Sequence, residues 1–121
     1  MSNRIEVTKE FYQAFATGDR KFVEAHLTDD FSFSAPPDPL LDRAGFFQRC
    51  WPGAGKGGSF EFIRLIESGD EVIVTYKADI NGSKGRNTEI LTFEGTKVRR
   101  TEVYFGWKVD QKHRTSSQAT N

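Results

Sequence analysis

Glu89 is a carboxylate in apolar company. In the run Glu89-Ile90-Leu91-Thr92-Phe93 it shares strand parity with Leu91 and Phe93, so a strand that buries those two turns Glu89 to the same covered face. A carboxylate held there loses hydration and keeps its proton to higher pH, which makes it a candidate acid or base for a bound substrate. Asp38 is the second candidate. It stands in Ala35-Pro36-Pro37-Asp38-Pro39, where the prolines hold the chain extended. A loop that slides brings it to a pocket mouth as base, with Glu89 as the buried acid; the alternative is a solvated turn residue. Tyr76 offers a hydroxyl to the same site, or is a wall tyrosine with its hydroxyl in water.

Other reactive side chains point elsewhere. His26 falls on the inward face of a short helix at i+4 from Phe22, the setting of a packed histidine bonded to a nearby carbonyl, and His113 lies in a polar tail. Two distant histidines and one cysteine give no convergent metal ligands, and no cofactor is expected. Cys50 has no histidine on a neighbouring inward element and reads as a buried small apolar group. The glycine-rich Trp51-Pro-Gly-Ala-Gly-Lys-Gly-Gly-Ser-Phe60 suggests a phosphate cradle. Lys56 is followed by glycine rather than Ser or Thr, however, and the order is helix then strand, so no helix amino end faces an anion. The stretch reads as a flap near a pocket rim, with Trp51 and Phe60 as anchors and Lys56 in solvent.

The elements that must position these groups follow from periodicity. Residues 3–17 gather Ile5, Val7, Phe11, Tyr12, Ala14, Phe15 and Ala16 on one side of a helix. Ser2 can cap its start, Gly18 suits its end, and Asp19 can cap a second helix over residues 20–27. A short strand follows at 30–34, then the proline stretch, then a third helix capped by Asp42 and closed by Pro52-Gly53. Turn signals at Ser68-Gly69-Asp70, Asn81-Gly82-Ser83 and Glu94-Gly95-Thr96 divide the remainder into a four-stranded antiparallel meander. Its covered face carries Val72, Val74, Tyr76, Ala78, Leu91, Phe93, Thr101, Val103, Phe105 and Trp107. A two-residue hairpin at Gly69-Asp70 would turn Glu61 inward, and a one-residue change in loop length would turn it outward. Ile73, Thr75, Lys77, Ile90, Thr92, Glu102 and Tyr104 occupy the opposite face, whose mixed character suits a homodimer interface. Helices first and strands after predict an α+β domain over residues 1–109, with a polar flexible tail at 110–121.

Bulk composition narrows the partners. Seventeen basic and 17 acidic residues cancel, which gives no net field toward nucleic acid or anionic lipid, and no apolar run is long enough to span a bilayer. A small apolar ligand is the expected partner, with no nucleic acid and no membrane. A lone cysteine and the lack of a charged-then-apolar leader lead to an expected cytoplasmic setting.

The runs Phe11-Tyr12-Gln13-Ala14-Phe15-Ala16-Thr17-Gly18-Asp19 and Phe22-Val23-Glu24-Ala25-His26-Leu27-Thr28-Asp29-Asp30-Phe31 resemble the opening of proteins with the nuclear-transport-factor-two-like cone. Thr101 to Trp107 resembles the last strand of the SnoaL-like branch. The resemblance covers residues 3–109 and implies a cone-shaped α+β barrel, with the N-terminal helices packed on a curved antiparallel meander. It also implies an apolar pocket walled by Phe11, Phe15, Phe47, Val74, Tyr76, Val103 and Phe105, either open to a ligand or filled by these side chains. The superfamily includes isomerases, cyclases, dehydratases, epoxide hydrolases and members without chemistry. Set against the ketosteroid isomerases, the base position falls on Ala35, the oxyanion tyrosine on Phe11 and a supporting tyrosine on Phe47. Of their acid-base set, only the acid is retained, as Glu89. A SnoaL-like protein acting on an apolar carbonyl metabolite with Glu89 and Asp38 is one implied function; a non-catalytic dimeric module is the other.

Overall fold

A computed structural model describes residues 3–80 and 82–109; the Ser2 cap, His113 and the polar tail fall outside the described residues. Helix α1, Arg4–Thr17, buries Val7, Thr8, Tyr12, Ala14 and Ala16 on one face. Its first residue is a clamp: Arg4 donates to the carbonyls of Gly95 (2.9 Å) and Gly69 (3.1 Å), holding two hairpin turns under the helix start. Asn3, at the cap position, makes no side-chain cap bond. Gly18 ends the helix in the left-handed conformation. Asp19 accepts from the Phe22 amide to start α2, Arg20–Ala25. That helix is shorter than its apolar pattern suggested, because Leu27 is taken up by a strand.

Strand β1, Leu27–Ala35, and strand β2, Asp38–Asp42, extend well beyond the expected 30–34. Asp42 then caps α3, Arg43–Arg49, by accepting from the Gly45 amide at 2.7 Å. A 3₁₀ turn, Trp51–Gly53, and a glycine-rich connection lead to β3, Ser59–Ser68. Strands β4, Glu71–Ile80, β5, Ser83–Glu94, and β6, Lys97–Lys108, complete the expected meander.

The sheet is larger and of a different kind than four antiparallel strands. Its six strands lie in the order β2-β1-β6-β5-β4-β3, with β1 parallel to β6 and every other pair antiparallel. It is a mixed, open sheet, so the cone is curved but does not close as a barrel. The parallel pair arises because the chain leaves β1, passes through α3 and traverses the whole meander before β6 returns beside β1.

Alternation places Val72, Val74, Leu91 and Phe93 in the core under α1, all essentially buried. Glu61 faces outward. The Gly69-Asp70 loop does have two residues, but a bulge between Phe62 and Arg64 shifts parity, so Phe60, Phe62 and Leu65 point inward instead. Trp107 also departs from expectation. It overhangs the covered area, 64 % exposed, with the Arg86 guanidinium 5.1 Å from its ring centre.

The glycine-rich connection is tethered where the sequence suggested slack. Gly55 and Gly57 donate to the carbonyls of Phe15 (2.8 Å) and Ala16 (3.0 Å), which are among the groups a helix C-terminus leaves without intrahelical donors. The two backbones touch at Gly18 and Gly55, where a Cβ on Gly18 would lie 3.2 Å from the Gly55 Cα. Lys56 is exposed.

Candidate functional site

Between α1, α3 and the concave face of the sheet lies a cavity of about 390 Å³. Its wall is mostly apolar and rich in aromatic rings. From α1 come Phe11, Tyr12 and Phe15; from β1 Phe31 and Phe33; from α3 and its exit Phe46, Cys50 and Trp51; from the meander Phe60, Tyr76, Val103 and Phe105. Phe105 is 58 % exposed and marks the rim.

Two expected wall residues lie off the cavity. Val74 is fully buried and is not part of the lining; it packs in the core beneath. Phe47 is replaced on the wall by its neighbour Phe46. Successive helical residues are turned by about 100°, so Phe46 and Cys50, four apart, share the cavity side of α3. Phe47 instead sits beneath the guanidinium groups of Arg20 (4.3 Å) and Arg43 (5.5 Å). Cys50 is accordingly a half-buried wall residue, not a core one. Burial pushes its thiol pKa up, the nearby Asp38 adds to this, and Arg49 opposes it. His26 is a packed histidine: its Nδ1 bonds the Phe22 carbonyl at 2.9 Å, and since a carbonyl only accepts, Nδ1 carries the proton.

The polar end of the cavity is built around Glu89. Tyr76 donates its hydroxyl proton to Glu89 Oε2 at 2.5 Å, and Asn87 Nδ2 donates to Tyr76 Oη at 3.4 Å. Asn87 Oδ1 in turn accepts from the Gly106 amide at 3.1 Å. A register shift between Gly85 and Asn87 opposite β6 allows this last contact, and Gly106 is required there because a Cβ would collide with the Arg86 carbonyl. Tyr12 stands against Tyr76, ring centres 5.1 Å apart, with its hydroxyl close enough to the Glu89 carboxyl to perturb it. That hydroxyl is buried and has no hydrogen-bond partner.

Glu89 is hemmed in by protein atoms and keeps only half-buried surface on the cavity wall. Desolvation raises its pKa above the usual 4.5, outweighing the opposing influence of the Tyr76 hydrogen bond and of the nearby Tyr12 hydroxyl. Burial, and then the neighbouring carboxyl, raise both tyrosine pKa values as well, Tyr12 and Tyr76 alike. All three shifts favour the protonated form, so the arrangement favours neutral donors in a mostly apolar chamber.

Tyr12 and Asn87 were not among the expected site residues. Aligning on Gly18-Asp19 puts the oxyanion tyrosine at Phe11, yet the α1 phenol near Glu89 is one residue along, at Tyr12. Asn87 shares parity with Glu89 and could have been found by extending that alternation two residues back.

Asp38 lies on the opposite side of the cavity. It pairs with Ala35 on β1, and one residue beyond the Ser34–Glu102 pair Ala35 comes level with Val103, the partner of Glu89. Three strand spacings separate the two acids, about 14 Å along the sheet. Asp38 Oδ1 accepts from Arg49 Nε at 2.7 Å, so its carboxylate is already paired. Among the described residues no group of three or more His, Cys, Asp or Glu converges to hold a metal ion, and no helix is long and apolar enough to cross a membrane.

The SnoaL-like domain family matches residues 8–104, and the chain belongs to that family. Solved structures agree on the fold. A nuclear-transport-factor-two-like protein of unknown function from Cytophaga hutchinsonii is similar at 18 % identity, TM-score 0.70, over 88 % of this chain and 92 % of its own. TerC, co-crystallised with polyporic acid, is similar at 22 % identity and TM-score 0.71, over 87 % and 92 %. An LEH-like epoxide hydrolase from M. tuberculosis is similar at 18 % identity and TM-score 0.67, over 86 % and 83 %. No curated protein matches the chain.

Proposed function

We propose that this SnoaL-like protein binds a small apolar carbonyl compound and acts on it by cofactor-independent acid-base chemistry of the isomerase or cyclase kind. The observation that carries the reading is the cluster of Glu89, Tyr76 and Tyr12, each with its pKa raised, at one end of a mostly apolar cavity of about 390 Å³. A ketone oxygen seated there receives hydrogen bonds from neutral donors, which strengthen as the oxygen gains charge. A base at the far side then removes a proton next to the carbonyl, leaving an enolate whose oxygen the cluster holds. Asp38 has the position for that base once it leaves Arg49. The polyporic acid in TerC and the epoxide hydrolase fold-mate support a small-molecule pocket in this architecture.

A second reading has its own support. Because Asp38 is engaged by Arg49, the cavity has no free carboxylate base, which favours a binding module without turnover. Both readings suit a homodimer formed through the outer sheet face, where Ile66 and Tyr104 are exposed, in the cytoplasm. Sedimentation of Ile90→Glu beside wild type tests the dimer, an unchanged mass counting against it. For the ligand, a thermal-shift screen of apolar ketones and enones on wild type and Glu89→Gln is the test. Selective stabilisation of wild type supports the reading; identical responses throughout the panel sink it.

A further inference from the structure

The hydrogen bonds leading to Glu89 run in one direction, and Asn87 sets it. A backbone N–H only donates, so the 3.1 Å bond from Gly106 fixes Asn87 Oδ1 as acceptor and turns Nδ2 toward Tyr76. An amide NH₂ also only donates, so Tyr76 Oη accepts there and sends its own proton to Glu89 Oε2. The first two bonds cannot reverse without orphaning the Gly106 amide, and with Glu89 protonated, whichever way the Tyr76–Glu89 bond runs, one of their two hydroxyl protons is left to face the cavity. Glu89 Oε2 is thereby occupied by a donor. Tyr12, 8 % exposed, adds a second hydroxyl with no partner at the same end of the cavity. Among the described residues, no Lys, Arg or His lines the chamber.

We propose that Asn87 determines ligand specificity: by fixing the direction of this relay it makes the polar end of the cavity a donor site. The site therefore selects an apolar ligand ending in an oxygen acceptor, a ketone or enone, over the matched organic ammonium. The proposal rests on the carbonyl reading above and adds the residue that enforces it. An ammonium only donates. It would meet the Tyr12 hydroxyl, a neutral acceptor, and a Glu89 carboxyl whose Oε2 is already engaged, and would bury its charge with fewer open acceptors than its N–H groups need.

Asn87→Asp tests this directly. Aspartate still accepts from Gly106, but its second oxygen faces Tyr76 as an acceptor and draws the Tyr76 proton away from Glu89. The relay then reverses at Tyr76 and frees Glu89 Oε2 for a donor. Calorimetric affinities for 2-tetralone and 2-aminotetralin at pH 7 give the readout. Wild type favours the ketone by about tenfold or more, the scale set by one unpaired polar group, and Asn87→Asp moves the ratio about tenfold toward the ammonium. If circular dichroism shows that variant unfolded, Tyr76→Phe breaks the relay one step later and moves the ratio the same way. A ratio unchanged in the folded variant, or a wild type that binds the ammonium as well as the ketone, overturns the proposal while leaving the carbonyl site standing. A wild type that binds neither tetralone nor any ketone of the panel overturns the carbonyl reading and this proposal together.

Discussion

Replacing Glu89 by glutamine changes how stability depends on pH, and the sign follows from where the proton sits. In the unfolded chain the carboxyl titrates near 4.5, whereas in the fold burial holds the proton to higher pH. Between those two values the unfolded chain has released a proton that the folded chain retains, so raising the pH favours unfolding. Above the folded value the penalty is constant. Each unit of separation corresponds to about 1.4 kcal/mol, which for a domain of this size moves Tm by roughly 4–8 °C. Glutamine keeps an oxygen acceptor for Tyr76 and has no proton to lose, so its stability lacks this decline. Urea unfolding of both proteins from pH 4 to 8.5, below the tyrosine range, yields the difference. Wild type should lose stability relative to Glu89→Gln as pH rises from about 4.5 and then level off. A flat difference would mean that Glu89 is solvated. An opposite slope would mean that it folds ionised, and the neutral donor site would have to be abandoned.

Neighbouring pairs of residues separate packing from ligand contact. Phe47→Ala costs about 3–5 kcal/mol in urea unfolding and leaves relative ligand affinities unchanged, whereas Phe46→Ala opens the wall and shifts affinity toward bulkier ketones. Gly106→Ala costs about 1–3 kcal/mol by driving a methyl into the Arg86 carbonyl. Gly85→Ala, with open space around its Cβ position, changes stability by less than about 0.5 kcal/mol. Equal losses at the two glycines would remove the packed register shift as the reason for Gly106.

Helix faces, caps and hairpin turns were legible because each is a local rule. The apolar stripe of residues 3–17, the caps at Asp19 and Asp42 and the turn at Gly69 need only a few neighbouring residues to be read. What escaped depended on partners distant in sequence. The parallel seat of β1 against β6 leaves no signature in either strand, and the bulge near Ile63 that turns Glu61 outward is a one-residue slip. Glu89 was visible from parity alone. Its phenol was assigned to the wrong helical position because alignment on Gly18-Asp19 counts residues, while a hydroxyl's reach depends on which side of the helix faces the sheet. Phe46 and Phe47 were exchanged for the same reason, with the rotation of a seven-residue helix deciding which of two identical side chains meets the cavity.

The parallel pairing also bears on the order in which the chain becomes a protein during synthesis. Strand β1 has one neighbour close in sequence, β2, and one, β6, that begins at Lys97. Until the ribosome has released the β6 residues, Phe31 and Phe33 belong to a two-stranded ribbon whose apolar face has no sheet beside it, and such ribbons are marginal in water. The meander from β3 to β6 joins near neighbours through short turns and forms first. Strands β1 and β2 are therefore the last to be secured, and their aromatic surface stays open to chaperones, or to another nascent copy, until β6 is in place.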